Sequence, residues 1–284
     1  MKCSLILATL GRDRELVDFL DSLACQTYKD FELIIIDQNV DGKIDAIVEE
    51  FNSRIPLKHM KVNFNGNARA RDYGIQFAFG DVIAFPDDDC VYETDVLERV
   101  VTEFEKQPQL GILVAGSYDF SKTQFSIGVN ANKPKYFSRL QMMGVEFTHF
   151  FCLSRMQRQE FYMDHDFGIN SKYCGAEGPE LLYRLLRAGY KAFYTPEIKI
   201  YHANKDAYAV GGQRMLKYSS GNGAFIRKFF NERDIFMLYY IARKMIVAPL
   251  VKMIGASLSL NSKKTGYYYY NLVGIWQGFL AYRK

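Results

Sequence analysis

No cysteine pair in the sequence has the spacing of a metal-binding or redox motif. The five cysteines are an odd number, lie far apart and form no C-x-x-C, which argues against a disulfide framework or a cysteine-based zinc site and favours a reducing compartment. The sequence also lacks G-x-x-x-x-G-K, a G-x-G-x-x-G after the first apolar run, and H-E-x-x-H. These absences weaken interpretations as a nucleoside triphosphatase, a dinucleotide-dependent enzyme or a zinc protease.

Long apolar runs are scarce as well. The run at residues 3–9 is short and is followed by the charged residues 12–15 without a cleavage pattern, so we expect a first buried strand and not a signal peptide. The longest uncharged stretch, residues 265–282, just reaches transmembrane length but contains Asn271, Gln277, three glycines and four consecutive tyrosines. Its composition predicts an interfacial segment, with the tyrosines and Trp276 at the level of lipid headgroups.

Acidic residues are rare in the last quarter of the chain. Residues 214–284 contain 12 Lys and Arg but only Glu232 and Asp234, a net charge of +10, whereas the other 213 residues contain 24 basic and 30 acidic residues, a net charge of −6. An acidic body argues against a nucleic-acid partner, while a basic, aromatic C-terminal region favours an anionic membrane surface. We therefore predict one domain over residues 1–213 and a separate amphipathic helical region over residues 214–284.

Strand and helix patterns alternate through the first 120 residues. Short buried runs, such as residues 5–8, 31–36, 82–85 and 112–115, are separated by segments with helical spacing of apolar residues. This alternation predicts an α/β fold with a mainly parallel sheet flanked by helices. A strand pair interrupted near Pro196 is expected over residues 193–202. Ligands of such sheets bind at the carboxyl ends of the strands, where Thr9, Asp37 and the Asp87–Asp89 triplet are expected.

The triplet Asp87, Asp88 and Asp89 follows a buried strand directly. Three adjacent carboxylates repel one another unless a cation neutralises them, and a divalent ion that also holds phosphate oxygens suits such a group. A solvated acidic turn that caps the next helix is the alternative.

Four motifs in order carry a family resemblance. They are Thr9-Leu10-Gly11-Arg12, the run from Gln26-Thr27-Tyr28 through Phe31-Glu32 to Asp37, Ala70-Arg71-Asp72-Tyr73-Gly74, and Gly80 to Asp89. Together with residues 175–185 and Ile200-Tyr201-His202, they resemble the inverting glycosyltransferases of family 2 over roughly residues 3–230. The C-terminal region is similar to that of members that build bacterial surface polysaccharides, such as capsule, exopolysaccharide or lipopolysaccharide.

The resemblance implies a GT-A fold, the nucleotide-diphospho-sugar transferase fold, and hexosyltransferase-like activity. It places the nucleotide-sugar, most readily a UDP-sugar, on Thr9, Arg12, Asp37, Arg71, Asp87 and Asp88. It places Mn²⁺ or Mg²⁺ on Asp89, supported by Asp87, with His202 completing the ligand set. A buried structural role is the alternative for His202. Two other histidines, His59 and His149, belong to no motif.

The catalytic base is expected at the start of the helix after Gly175. Members of the family carry two adjacent acids there, whereas this sequence has Glu177 followed by Gly178 and Pro179. The resemblance therefore assigns proton abstraction to Glu177, with Glu180 nearby, or implies an impaired enzyme. A helix N-terminus also favours a carboxylate electrostatically, so capping is a further alternative.

We therefore expect a cytoplasmic enzyme, peripheral on the inner face of the plasma membrane, that transfers one sugar to a glycan or lipid-linked acceptor. Arg214, Lys217, Arg227 and Lys228 are interpreted either as phosphate contacts or as a solvated basic helix face. A nucleotidyltransferase would carry G-x-G-x-R after the first strand, and this sequence has one glycine there. A catalytically impaired nucleotide-sugar-binding module at the membrane surface is the alternative from another class.

Overall fold

The computed structural model describes residues 1–204, 208 and 211–283. They form two compact units. The first comprises Met1–Met163 and Leu181–Asn204, and the second comprises Asp164–Glu180 and the described residues after 204.

A nine-stranded sheet is the basis of the first unit. Its strands are β1 (Cys3–Thr9), β2 (Phe31–Asp37), β3 (Leu57–Lys61), β4 (Val82–Ala84), β5 (Cys90–Tyr92), β6 (Leu110–Tyr118), β7 (Lys135–Phe137), β8 (His149–Cys152) and β9 (Lys191–His202). They lie in the order β3-β2-β1-β4-β8-β6-β9-β5, and β7 also pairs with β9. Strands β1 to β4 are mutually parallel, as are β6 and β9, whereas β8 is antiparallel to both β4 and β6.

Helices accompany this sheet in the order that the sequence predicts. They are α1 (Arg14–Ala24), α2 (Asp45–Phe51), α3 (Asn67–Ile75), α4 (Val96–Lys106) and α5 (Glu177–Ala188), whose first residues belong to the second unit. Leu5, Leu7, Leu33 and Ile35 enter one buried cluster, while Ile6 and Ile34 enter another. Because successive side chains of a strand point to opposite faces, this alternation means that the sheet is covered on both faces. The α/β class and the flanking helices are confirmed.

Strand β9 differs from the expected interrupted pair. It is one strand, and its pairing with β6 shifts register where Ala115 pairs with Thr195 and Gly116 with Lys199. Pro196 lies in this irregularity. A proline cannot donate a hydrogen bond to a neighbouring strand, so the bulge accommodates it without ending the strand.

Helices dominate the second unit. They are α6 (Gly212–Asn231), α7 (Phe236–Tyr240), a π-helical segment (Ile241–Val247), α8 (Ala248–Leu258) and α9 (Ser262–Ala281). The segments from Phe236 to Leu258 follow one another without a break. No helix among the described residues is long and apolar enough to cross a membrane.

Small residues bring α6 and α9 into close contact. A methyl group on Gly278 would lie 1.8 Å from the carbonyl oxygen of Ser220, and one on Gly223 would lie 1.8 Å from that of Ile275. Backbones can approach this closely only where side chains are absent. The stretch expected to be interfacial is therefore a helix with one face packed against α6, where Gly274, Ile275, Gly278 and Phe279 are buried.

Candidate functional site

The ends of the parallel strands bring the predicted residues of the first unit together. Thr9 and Asp37 end β1 and β2 and lie opposite each other in the register. β4 is paired with β1 and ends at Ala84, so the Asp87–Asp89 triplet emerges at the same edge of the sheet. This is the edge at which open α/β sheets bind ligands.

Asp88 is buried and joins two of the predicted residues. Thr9 Oγ1 donates a hydrogen bond of 2.7 Å to Asp88 Oδ2, and the guanidinium of Arg12 pairs with Asp88 Oδ1. Burial raises the pKa of Asp88, and Arg12 and Thr9 counteract that rise. Burial also acts to lower the pKa of Arg12, but Asp88 and Asp89 raise it overall. The contacts of Asp88 with Thr9 and Arg12 therefore hold the loop after β4 against the end of β1.

Asp89, in the same loop, forms a second pair with His202 at the end of β9. Strand β5 runs antiparallel to β9 with Cys90 opposite His202, so Asp89 is carried to the end of β9. Asp89 Oδ1 lies 3.4 Å from His202 Nε2, and Arg12 Nη2 lies 3.0 Å from Asp89 Oδ2. The imidazole of His202 stacks on Phe147 with 5.1 Å between ring centroids, which fixes its plane.

The orientation of the His202 ring makes this pair suitable for a metal ion. Its Nδ1 lies 2.8 Å from the carbonyl oxygen of Ala203. Since a carbonyl can only accept, Nδ1 is the donor in this contact, and Nε2 is the ring nitrogen that faces Asp89. A carboxylate oxygen and an imidazole nitrogen that face each other can share a cation, either a proton on Nε2 or a metal ion. A backbone carbonyl on the far nitrogen is also the usual way in which proteins orient a metal-binding histidine.

Asp87 faces a different partner. Asp87 Oδ1 accepts a hydrogen bond of 2.7 Å from Arg71 Nη2, and Arg71 Nη1 lies 2.7 Å from Glu146 Oε2. The side chain of Arg71 is only 1% exposed. A buried guanidinium needs carboxylate partners, and these two supply them. Glu146 was not identified from the sequence, because it stands outside the motifs in an irregular region.

Asp37 belongs to a separate polar group at the end of β2 and β3. Its Oδ1 accepts hydrogen bonds from the backbone and side-chain nitrogens of Asn39, and its Oδ2 lies 2.9 Å from His59 Nε2. Ligand atoms of Asp37, Asp45 and His59 lie within 4.8 Å of one another, as a metal site would require. Lys61 Nζ also lies 2.5 Å from Asp45 Oδ2, so one of these carboxylates already has a cation.

This second group borders a cleft of about 420 Å³ between α2 and β3. Its lining includes Asp45, His59 and Lys61 together with the apolar side chains of Val48 and Leu57. His59 was not identified as a site residue from the sequence, since a lone histidine in a strand belongs to no motif. The parallel pairing of β2 with β3 sets Ile35 opposite His59 and thereby brings His59 close to Asp37.

The two predicted catalytic carboxylates lie in the second unit. Glu177 is the first residue of α5, and it follows Gly175 and Ala176, whose φ angles are +86° and +67°. A left-handed conformation is uncommon for alanine and is often maintained at functional positions. Glu177 is 8% exposed and Glu180 is fully buried.

Glu180 is held in a buried ion pair. Lys228 Nζ lies 2.6 Å from Glu180 Oε1 and 2.7 Å from Asp164 Oδ2. Burial acts to lower the pKa of Lys228, but the two carboxylates raise it overall. Lys228 is therefore neither on a solvated helix face nor available to a phosphate in this arrangement.

Comparison with known proteins identifies the family of the chain. The model of glycosyl transferase family 2 matches residues 4–165. A glucosyl-dolichyl phosphate glucuronosyltransferase of Haloferax volcanii is 28% identical over 120 residues, which are 41% of this chain and 38% of that protein. An uncharacterised glycosyltransferase of Nostoc sp. is 27% identical over 115 residues, or 40% and 36% of the two chains. The chain thus aligns with well under half the length of these relatives.

Two solved structures show the same fold. The mannosyltransferase PcManGT of Pyrobaculum calidifontis, in complex with GDP-Man and Mn²⁺, superposes with a TM-score of 0.70 at 16% identity and covers 99% of this chain and 87% of its own. Residues 1–349 of TarS from S. aureus, in complex with UDP-GlcNAc, give 0.62 at 12% identity and cover 95% and 90%. The match to the family model spans more than half of the sequence, and the chain therefore belongs to glycosyl transferase family 2.

Proposed function

We propose that the protein transfers a sugar from a nucleotide-sugar donor to a glycan or lipid-linked acceptor by a metal-assisted inverting displacement. The observation that supports this most is the arrangement of Asp89 and His202, whose Oδ1 and Nε2 lie 3.4 Å apart. It offers a divalent ion one carboxylate and one imidazole nitrogen beside the end of a parallel sheet. Mn²⁺ and Mg²⁺ both accept oxygen ligands, and Mn²⁺ also accepts imidazole.

The donor would bind along the edge formed by the ends of β1, β2 and β4. We assign the nucleotide to Thr9, Asp37, Arg71 and Asp88, and the diphosphate to Arg12. The metal ion on the diphosphate is assigned to Asp89, with Asp87 in support. Structures of similar fold contain UDP-GlcNAc or GDP-Man with Mn²⁺, and we propose a UDP-sugar here. When bound, the ion would neutralise charge that develops on the departing diphosphate. Arg12 can contribute to the same task, because its guanidinium already contacts Asp88 and Asp89.

Glu177 is our candidate for the general base. Its carboxylate would accept the proton of the acceptor hydroxyl while that oxygen attacks the anomeric carbon from the face opposite the leaving group. The strained turn at Gly175 and Ala176 fixes where the helix begins and therefore where Glu177 stands. Glu180 would then be a positioning residue, because its carboxylate is already paired with Lys228.

The acceptor is proposed to be a growing surface polysaccharide or its lipid carrier, in bacterial capsule, exopolysaccharide or lipopolysaccharide synthesis. The protein would work at the inner face of the plasma membrane, with its basic C-terminal region on anionic lipid. Positive charge near such a surface contributes about 1 kcal/mol per basic residue.

A panel of nucleotide sugars tests the proposal. We expect slow release of nucleoside diphosphate with one matched donor and Mn²⁺ or Mg²⁺, even without an acceptor, and loss of that release in EDTA. If the protein binds the donor but transfers its sugar to no acceptor, the result would support a non-catalytic nucleotide-sugar-binding module. Gly178 in place of the second acid is compatible with such a module. Hydrolysis of a nucleoside triphosphate in preference to every nucleotide sugar would contradict both.

A further inference from the structure

An exposed apolar stripe runs along the helix that spans Phe236 to Leu258. Ile246, Leu250, Ile254 and Leu258 recur every four residues and are 42%, 38%, 55% and 81% exposed. Val247 and Val251, at 55% and 63%, lie beside them. Side chains at i, i+4 and i+8 share one face of a helix, so these residues form a continuous surface.

The opposite face of this helix is the one that packs. Met245, Pro249 and Ala256 are buried within the second unit. A helix on a water-exposed surface normally turns its polar side outward. Here the outward side is apolar, so the stripe requires an occupant other than water.

Charge identifies that occupant. From Ile235 to the end of the sequence there is no Asp or Glu, while Arg243, Lys244 and Lys252 stand on this same helix and are exposed. Partial desolvation lowers the pKa of Lys244, and the neighbouring charges of Arg243 and Lys252 lower it further. A negative surface would neutralise the three cations of a helix that contains no acid. A nonpolar layer beneath that surface would accommodate the apolar stripe. An anionic bilayer has both properties.

We infer that the helix from Phe236 to Leu258 lies in the plane of an anionic bilayer and inserts Ile246, Leu250, Ile254 and Leu258 below the headgroups. This inference rests on the membrane association proposed above. It assigns the membrane contact to α8 and the preceding π-helical segment, and not to α9. A second copy of the chain is less compatible with the stripe, since the cations of two identical helices would face one another.

Vesicle sedimentation tests the inference with the full chain and no donor. We expect binding to phosphatidylcholine vesicles that contain phosphatidylglycerol, and much weaker binding to pure phosphatidylcholine. The double variant Ile246→Asn/Ile254→Asn should reduce partitioning at least about tenfold, since it removes inserted apolar side chains. Lys244→Gln and Lys252→Gln should each reduce it about fivefold, the equivalent of about 1 kcal/mol per charge. Val40→Asn/Phe79→Asn is the matched control, because those side chains are 95% and 81% exposed in the first unit.

Fluorescence reports depth directly because the chain has one tryptophan. In a Trp276→Phe background, Ile254→Trp should be quenched by brominated acyl chains, whereas Val40→Trp should not. Unchanged partitioning of the asparagine variant, or an unquenched tryptophan at 254, overturns the inference. So does a vesicle-independent dimer that the asparagine variant converts to monomer. Donor hydrolysis in solution should be unaffected by these variants, so failure here is distinguishable from failure of the proposed catalytic function.

Discussion

The carboxylate of Asp89 and the imidazole of His202 face each other across 3.4 Å, with Nδ1 of the imidazole held by the carbonyl oxygen of Ala203. The pairing of β5 with β9 creates this relationship, because it sets Cys90 opposite His202 and so brings the preceding aspartate to the end of β9. Two residues that are more than 100 positions apart thereby become one candidate metal site.

This pair predicts where a divalent ion binds. Asp89→Ala should abolish metal-dependent donor turnover, and His202→Gln should weaken Mn²⁺ binding by at least about tenfold, since loss of a ligand costs no less than loss of a residue that orients one. Titration of Mn²⁺ by electron paramagnetic resonance measures the affinity without a nucleotide. His59→Gln is the control, because His59 belongs to the other group of possible ligands. A weaker affinity in the His59 variant alone would move the ion to Asp37 and Asp45.

Substitutions of the two acids of α5, Glu177 and Glu180, should have different effects on rate and stability. Glu177→Gln should lower the transfer rate by about 10² or more if Glu177 is the general base, with little change in stability. Glu180→Gln leaves Lys228 with Asp164 alone and should cost about 3 kcal/mol, the lower end for a broken buried ion pair. Rate measurements with saturating donor and chemical denaturation of both variants separate the two effects. A near-normal rate for Glu177→Gln would assign the base elsewhere.

Arg71 should be required for folding as well as for the site. Arg71→Met leaves the carboxylates of Asp87 and Glu146 without their shared guanidinium, and we expect a loss of about 3–5 kcal/mol in the free energy of unfolding. The double variant Arg71→Met/Glu146→Gln removes one of the two carboxylates that Arg71 contacts and should recover part of that loss. Thermal denaturation measures both. Equal stabilities for the single and double variants would show that the two side chains are not coupled.

The close contact of α6 with α9 depends on glycine. Gly278→Ala should destabilise the second unit by about 1–3 kcal/mol, because the added methyl group meets the carbonyl oxygen of Ser220. Gly266→Ala, on the same helix, has nothing within 4 Å of the added methyl group and should be neutral or stabilising by up to about 1 kcal/mol. Circular dichroism melts compare the two. Equal melting temperatures would contradict the packing described here.

His149 should make the first unit sensitive to acid. Its Nε2 donates to the carbonyl oxygen of Met143, its Nδ1 has no hydrogen-bond partner among the described residues, and burial lowers its pKa to about 4. The unfolded chain takes up this proton near pH 6.5 and the folded one only near pH 4. Stability is therefore complete above about pH 6.5 and falls by about 3 kcal/mol as the pH drops to 4.

Denaturation by urea at pH 7 and at pH 4.5 checks this dependence. His149→Gln keeps a donor for Met143 but cannot take up a proton, so its stability should fall less between the two values. A parallel fall in the variant and the parent chain would assign the acid sensitivity to other groups.

The sequence predicted the order of strands and helices in the first half of the chain because each apolar run there is short and bounded. It also predicted that Thr9, Asp37 and the aspartate triplet stand at strand ends, since parallel strands present their carboxyl ends at one edge. It could not predict that Pro196 sits in a bulge of a continuous strand, because that depends on the partner strand β6. Nor could it place Glu146, which becomes relevant only when α3 carries Arg71 to it.

The charge distribution also shows which features the sequence predicts and which depend on the folded structure. The amino-acid composition shows that the chain joins an acidic body to a basic, aromatic C-terminal region, because net charge depends only on which residues are present. The role of each charge depends on how the chain folds. In the folded chain Lys228 is buried in an ion pair with Glu180. One face of the tyrosine-rich helix α9 is buried against α6, and the apolar side of α8 is exposed. Composition counts groups, but only packing determines which of them face one another and which face the solvent.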